Sequence, residues 1–313
     1  MKKWRAVALA LAGMSWAGLA QAADYRFMTG PQGGAWYPLG GALGNVIGKA
    51  LPGTNIQILP GGGVRNALAI EIGKADIALG NAVSTIDGVA GRPPFKKPAT
   101  KLRNVATFYA QYFQAVVVAD AGIETIADLK GKAIAVGLRG DSGEQLARDA
   151  LSVYGLTYDD FSDVNHLNYS DTVALFQDGH IDVFMIQTTL PSSAVMEAGT
   201  SRPARILAIA DDKLAALSRI NQQYLRRVIP EGTYPDQGGD IQTFGSWTHL
   251  MVSADLPDDH VYALTKAVVE ARAEFGNVVQ AMAGITAEQM AAPIGVAMHP
   301  GAERYYREQG LIN

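Results

Sequence analysis

The feature that most constrains this chain is a unit that recurs along it: a short apolar run, a glycine-rich turn, then a segment of helical period. The run 25–28 leads into Thr29-Gly30-Pro31-Gln32-Gly33-Gly34, with Ala35-Trp36-Tyr37-Pro38 opening the next segment. The run 56–59 leads into Pro60-Gly61-Gly62-Gly63 and then Val64 onward; 133–136 leads into Gly137-Leu138-Arg139-Gly140-Asp141-Ser142-Gly143 and then Glu144 onward. Strand and helix in alternation call for parallel sheets with helical crossovers. Glycines let backbone N–H groups approach a ligand without a Cβ in the way, and a helix start adds partial positive charge. Three such loops predict a cleft for a small anionic or zwitterionic molecule.

The first 22 residues read as an export signal. Lys2, Lys3 and Arg5 precede an apolar run from Ala6 to Leu19, and Ala20-Gln21-Ala22 has the small-x-small form of a cleavage site. The run is shorter than the roughly 20 apolar residues a membrane span needs. A periplasmic protein beginning at Ala23 is expected. Loss of the three leader cations takes the formal net charge from −4 to −7. An acidic surface without a basic run argues against nucleic acid and anionic membranes as partners. The chain has no cysteine, which excludes disulfides, thiolate catalysis, zinc–thiolate sites and a lipidated N-terminal cysteine.

A mature chain of about 290 residues is large for one core. Leu39, Leu43, Val46, Ile47 and Ala50 fall at helical spacing behind Pro38, and Gly53 ends that helix. The runs 77–79, 116–118, 134–136, 183–186 and 206–209 have the character of buried strands. Ser142-Gly143-Glu144-Gln145 has the form of a capping box. Strands at 112–120 and 244–255, the second leading into a long helix from about 257 to 275, read as crossings between lobes. Lobe 1 is therefore placed at 24–112 plus 245–313 and lobe 2 at 113–244.

Several ordered motifs span the mature chain. They are Thr29-Gly30-x-x-Gly33-Gly34-x-Trp36-Tyr37-Pro38, Gly61-Gly62-x-Val64-x-Asn66, Gly73-x-Ala75-Asp76-Ile77-Ala78, Ile229-Pro230-x-Gly232-x-Tyr234 and His299-Pro300-Gly301-Ala302-x-x-Tyr305-Tyr306-x-Glu308-x-Gly310. They resemble the TAXI group (TRAP-associated extracytoplasmic immunogenic proteins), receptors of tripartite ATP-independent periplasmic transporters, while Asp128-Leu129-Lys130-Gly131-Lys132 before a strand resembles extracytoplasmic solute-binding proteins generally. The resemblance implies an α/β, two-lobe periplasmic binding protein of type II topology, each lobe a mainly parallel sheet flanked by helices. It also implies a small organic acid or amino acid, glutamate-like or 2-oxoglutarate-like, as ligand, and a sodium-driven TRAP permease as partner. Two loops depart from the group's pattern: Pro60-Gly61-Gly62-Gly63 lacks the hydroxyls of Thr-Gly-Gly-Ser, and Asp141 stands between Gly140 and Ser142.

The candidate ligand-binding residues are Thr29, Gly33, Gly34, Trp36, Tyr37, Gly63, Val64, Asn66, Asn81, Arg139, Asp141, Ser142, Gln187 and Thr188. Trp36 or Tyr37 is expected to stack on the ligand, Tyr37 ahead, unless both only pack the helix start. Gly63 and Val64 offer N–H groups beside Asn66 at the cleft edge, and Arg65 could reach a carboxylate bidentately but reads better as a solvated helix residue. Arg139 is either the lobe 2 cation for a ligand carboxylate or an exposed loop arginine. Gln187 and Thr188 follow one apolar run and Asn81 another, where open α/β sheets present ligand groups. Gly61-x-Gly63-x-x-Asn66 lacks the third glycine of a dinucleotide loop, and no P-loop ending occurs.

No catalytic residue, cofactor or metal is expected, and a monomer is. The five histidines, His166, His180, His249, His260 and His299, show no metal-ligand spacing. The acidic pairs at 159–160, 211–212 and 258–259 read as caps and solvated faces. Two alternatives remain: a ligand module for a sensor or another transporter, and a serine hydrolase centred on Ser142.

Overall fold

A computed structural model of the protein describes residues 24–313, so the leader expected at 1–22 lies outside the described residues. The chain begins with β1 (Asp24–Met28), α1 (Trp36–Ala50), β2 (Asn55–Leu59), α2 (Gly63–Glu71), β3 (Ile77–Asn81) and α3 (Ala82–Ala90). There follow β4 (Leu102–Val118), β5 (Ala133–Val136), α4 (Ser142–Val153), β6 (Asp163–His166), α5 (Tyr169–Gln177), β7 (Val183–Thr188) and α6 (Ser193–Ser201). The last elements are β8 (Ala204–Ile206), α7 (Asp211–Ile220), β9 (Leu225–Ile229), β10 (Ile241–Ser253), α8 (Asp258–Glu270), α9 (Ala287–Ala291) and α10 (Pro300–Glu308).

Ten strands form one sheet in the order β2-β1-β3-β10-β4-β7-β5-β6, with β8 on β4 and β9 on β10. β1 pairs in parallel with β2 and β3, and β5 pairs in parallel with β6 and β7. Between these trios, β4 and β10 run antiparallel to each other and to their neighbours. They have 17 and 13 residues, against the 5 to 6 usual for a strand, because each belongs to two lobes in turn. β4 pairs with β10 from Leu102 to Tyr112 and with β7 from Tyr112 to Val117. Both strands overlap the segments expected to cross between lobes.

Each trio is covered by helices on both faces. Against β1–β3, one core gathers Leu39, Leu43 and Ile47 of α1, Val261, Leu264 and Val268 of α8, and Tyr306 of α10. The opposite face packs Val64, Ala67 and Ile70 of α2. Against β5–β7, α4 and α7 bury Leu146, Leu151 and Leu217 on one side, while α5 and α6 bury Phe176 and Ala198 on the other. The 3.6-residue period read for α1 is thus the period of its buried stripe, and each such Leu or Ile stabilises the fold by about 1.5–3 kcal/mol.

Two local expectations are corrected. The helix expected from 257 to 275 stops at Glu270, and Arg272–Asn277 is a 3₁₀ turn. The chain folds back there so closely that a Cβ on Gly276 would lie 3.0 Å from the Ala283 backbone. The capping box at 142–145 does not form: Asp141 precedes the first helical residue, Ser142, and no side chain caps α4. Gln145 is drawn elsewhere, as described below.

Candidate functional site

The starts of α1, α2 and α4 converge on one cleft between the lobes, and none of the three has a side-chain cap. Lobe 1 contributes Gly34, Trp36, Gly62 and Gly63, and lobe 2 contributes Asp141, Ser142, Gly143, Tyr169, Gln187 and Thr188, with Gln111 on β4 beneath them. The cleft is closed down to about 20 Å³, little more than one water requires. Anything much larger than water fits there only if the lobes part.

Glycine is what allows this approach. A Cβ on Gly63 would stand 2.8 Å from the Ser142 Cβ, and one on Gly62 would stand 1.8 Å from Asp141 Oδ1. Only bare backbone fits at either position. The loops are held from behind by Asn66, which is fully buried. Its Oδ1 accepts from the Gly62 N–H at 2.9 Å, and its Nδ2 donates to the Thr29 and Leu79 carbonyls at 2.8 Å each. Thr29 in turn donates its hydroxyl to the Leu59 carbonyl at 3.0 Å. These two residues tie the first and second loops to the end of β3.

Of the candidates, Gly34, Trp36, Gly63, Asp141, Ser142, Gln187 and Thr188 line the cleft. Thr29, Val64, Asn66 and Asn81 lie behind its wall, where Val64 packs in the core and the others hydrogen-bond protein groups. Trp36, not Tyr37, faces inward: its indole N–H donates to Thr248 Oγ1 at 3.1 Å, which fixes the ring. Tyr37 is 49% exposed and, with Gly33 and Thr188, lines an adjoining groove of about 340 Å³ closed on its far side by Val278, Val279 and Gln280. Arg139 is exposed and lies outside the cleft lining.

The cation that crosses between lobes is Arg65. Its guanidinium donates to Asp141 Oδ1 at 2.7 Å and to the Gly61 carbonyl at 3.0 Å. Sequence reading placed Arg65 in solvent, and nothing local contradicts that. Its partner stands 76 residues away. Gln111 and Tyr169 were also missed as lining residues. Tyr169 starts α5 directly after β6 and Asn168, a fourth strand–turn–helix unit whose turn carries no glycine.

Asp141 is 4% exposed, and its Oδ2 has no hydrogen-bond partner. Burial raises its carboxyl to about 6, a shift that Glu144 adds to and Arg65 opposes. Gln187 Nε2 is the second unpartnered buried atom of the lining. The Gln187 orientation follows from a chain of bonds. Val83 N–H donates to Asn81 Oδ1, so Asn81 Nδ2 donates to the Oε1 atoms of Gln111 and Gln187, at 3.1 Å each. The Tyr169 hydroxyl donates to the Gln187 carbonyl at 2.7 Å. The free Nε2 is left facing the cleft.

No histidine lines the cleft, and Ser142 makes no side-chain hydrogen bond among the described residues. His249 is buried between Thr85 and Asn104, and burial lowers it to about 3. Among the described residues no three His, Asp or Glu gather as a metal requires, and no helix is long and apolar enough to cross a membrane. A cavity of about 350 Å³ lies between α6, β8 and residues 234–241, but its lining holds no unpartnered buried polar atom among the described residues. The lining of the interlobe cleft, by contrast, holds two such atoms, on Asp141 and Gln187.

The sequence model of one family matches residues 27–310, nearly all of the described chain. The chain belongs to the NMT1-like family. Its fold is shared with solved structures at low identity. The alkanesulfonate-binding protein SsuA from Xanthomonas axonopodis pv. citri, bound to MOPS, is 18% identical over 92% of this chain and 84% of that one, with a TM-score of 0.50. PhnD1 from Prochlorococcus marinus, in complex with methylphosphonate, is 10% identical over 92% and 99%, with a TM-score of 0.54. An ancestral arginine-binding protein bound to arginine is 14% identical over 83% and 97%, with a TM-score of 0.51. This NMT1-like protein thus has the two-lobe α/β fold of type II periplasmic binding proteins.

Proposed function

We propose that this NMT1-like protein is an exported solute receptor, which captures a small organic acid or amino acid between its lobes and hands it to a membrane permease. One observation carries the reading: three uncapped helix starts, from both lobes, converge on a single cleft. Their N–H groups attract an anionic group, and contacts from both lobes make the closed form the one the ligand favours. Lobe 1 then comprises 24–112 plus 245–313 and lobe 2 comprises 113–244. The contact residues are Gly34, Trp36, Gly63, Asp141, Ser142, Gln187 and Thr188, with Gly33 and Tyr37 at the mouth.

The motif set that resembles the TAXI group supports a TRAP-type, sodium-driven permease as partner and the periplasm as location. The solved relatives of this fold carry a sulfonate buffer, a phosphonate and an amino acid, all small and charged, which agrees with the ligand class. The hydrolase alternative has no histidine base beside Ser142, since none lines the cleft.

A thermal-shift screen of mature protein against organic acids and amino acids tests the receptor reading. A ligand at about a thousand times its dissociation constant stabilises by about 4 kcal/mol. No shift with any compound, or labelling of Ser142 by a fluorophosphonate probe, refutes it. The permease type is tested by whether uptake of the bound solute follows a sodium gradient.

A further inference from the structure

The cleft holds a carboxylate where a receptor for plain acids has no use for one. Asp141 stands at the start of α4, within the lining, 4% exposed, with Oδ1 on Arg65 and Oδ2 without a partner. A buried acceptor left unmatched is unfavourable, so the ligand that fits brings a donor to Oδ2. The other groups have the opposite polarity: Gln187 Nε2 is a donor without a partner, and the backbone N–H groups at three helix starts without side-chain caps are donors too, although that of Arg65 is already given to the Gly140 carbonyl at 2.8 Å. The cleft thus offers one anionic acceptor beside several donors.

We infer that the cleft selects α-amino acids over 2-oxo and 2-hydroxy acids of the same side chain, with Asp141 Oδ2 receiving the ligand ammonium. The ligand carboxylate lies against the helix-start N–H groups, and Gln187 Nε2 donates to a further ligand oxygen. A 2-oxo acid presents only acceptors and sets a carbonyl or carboxylate oxygen against Asp141, where like polarity in a dry site is unfavourable, while a 2-hydroxy acid gives Oδ2 a neutral donor in place of the stronger charged one. Arg65 on Oδ1 holds the Asp141 carboxylate in place and balances its charge without occupying Oδ2. Asp141 is a specificity-determining residue in this scheme, which rests on the receptor reading above.

The test is titration calorimetry at pH 7.5 with matched sets: glutamate, 2-hydroxyglutarate and 2-oxoglutarate; leucine, 2-hydroxyisocaproate and 4-methyl-2-oxovalerate. The amino acid of at least one set is expected to bind tenfold or more tightly than its partners. Asp141→Asn narrows that gap to threefold or less. Arg65→Gln removes the ion pair but keeps Oδ2, so the preference for the amine persists in it even where overall affinity falls. Tighter binding of the oxo or hydroxy acids to the native protein overturns the assignment and leaves the receptor reading standing. So does an undiminished gap in Asp141→Asn. No binding by any compound of either set overturns the assignment together with this ligand class.

Discussion

The two flanks of the interlobe contact are built on opposite plans. On one flank α3 of lobe 1 is fastened to lobe 2 by side chains. Asp87 accepts from Gln145 Nε2 and Arg92 Nε at 2.5 Å and from Asn221 Nδ2 at 2.8 Å, while Ser84 donates to Gln145 Oε1 at 2.6 Å. On the other flank, residues 33–38 face 188–193 across the groove lined by Tyr37 and Val279, and no side-chain hydrogen bond crosses it among the described residues. One flank joins its carboxylate and amides to each other, with Arg92 Nη2 left without a partner. The other leaves a passage, and the cleft between them keeps its unpartnered atoms. The difference teaches that closure needs no ligand on the clasped side, so the ligand's contribution is concentrated at the glycine loops.

The largest effect that tests this comparison is expected from Asp87→Ala. The substitution leaves Gln145 Nε2 and Arg92 Nε without an acceptor and Asn221 Nδ2 with the Val83 carbonyl alone, a loss of about 3 kcal/mol. Tyr37→Ala on the open flank is expected to stay within about 0.5 kcal/mol. Urea denaturation measures both, and small-angle scattering of the ligand-free protein should show a larger radius for Asp87→Ala alone. Equal stability losses, or an unchanged radius, would show that the clasp does not hold the lobes together.

What was legible beforehand follows the same division. The glycine turns, the apolar stripe of α1 and the strand–helix alternation are local, so neighbouring residues reveal them. The clasp is not: Asn221 lies 134 residues from Asp87 and Gln145 lies 58, and neither pairing leaves a trace in its own surroundings. Gln145 illustrates the cost of reading locally, since the capping-box pattern assigned its side chain to the helix start while α3 claims it. The side chain of Trp36 is likewise held at a distance, by Thr248, 212 residues on. Asn66 was placed in the right loop but faced the wrong way, because three polar groups behind the loops need it more than the cleft does. Asp141 was visible as an oddity in its motif, yet its meaning depends on Arg65 arriving from the other lobe.

A smaller effect is expected at the glycine loops. Gly63→Ala puts a methyl 2.8 Å from the Ser142 Cβ, so the lobes close short of their present approach. Gly63 is the first residue of α2, a conformation alanine adopts freely, so unfolding free energy should change by less than about 1 kcal/mol. Ligand affinity, by contrast, should fall tenfold or more, about 1.4 kcal/mol, because the lost approach is the one the bound state requires. Calorimetry with the solute found by screening, beside urea denaturation of the free protein, separates the two. A parallel loss of both would place Gly63 in the fold of lobe 1 instead of in closure.

The smallest effect is a pH dependence confined to the cleft. Burial raises Asp141 to about 6, with Arg65 opposing, Glu144 reinforcing, and Tyr169 beside it remaining neutral. A carboxyl raised in the folded state takes up a proton on folding, so its contribution to stability is greatest at acid pH and declines as pH rises from about 4 to about 6. His249, lowered to about 3 by burial, has the opposite sign: it binds no proton when folded, and its contribution is lost as pH falls below the ordinary histidine value. Binding of an amine reverses the sign for Asp141, because the ammonium requires the ionised form. Between pH 7 and pH 5.5 the ionised fraction falls about fourfold for a group near 6, and amino-acid affinity should fall with it. Asp141→Asn should flatten that step while leaving the acid destabilisation due to His249 in place. A fourfold decline that persists in Asp141→Asn would move the titrating group out of the cleft, and with it the difference drawn between the fastened flank and the open one.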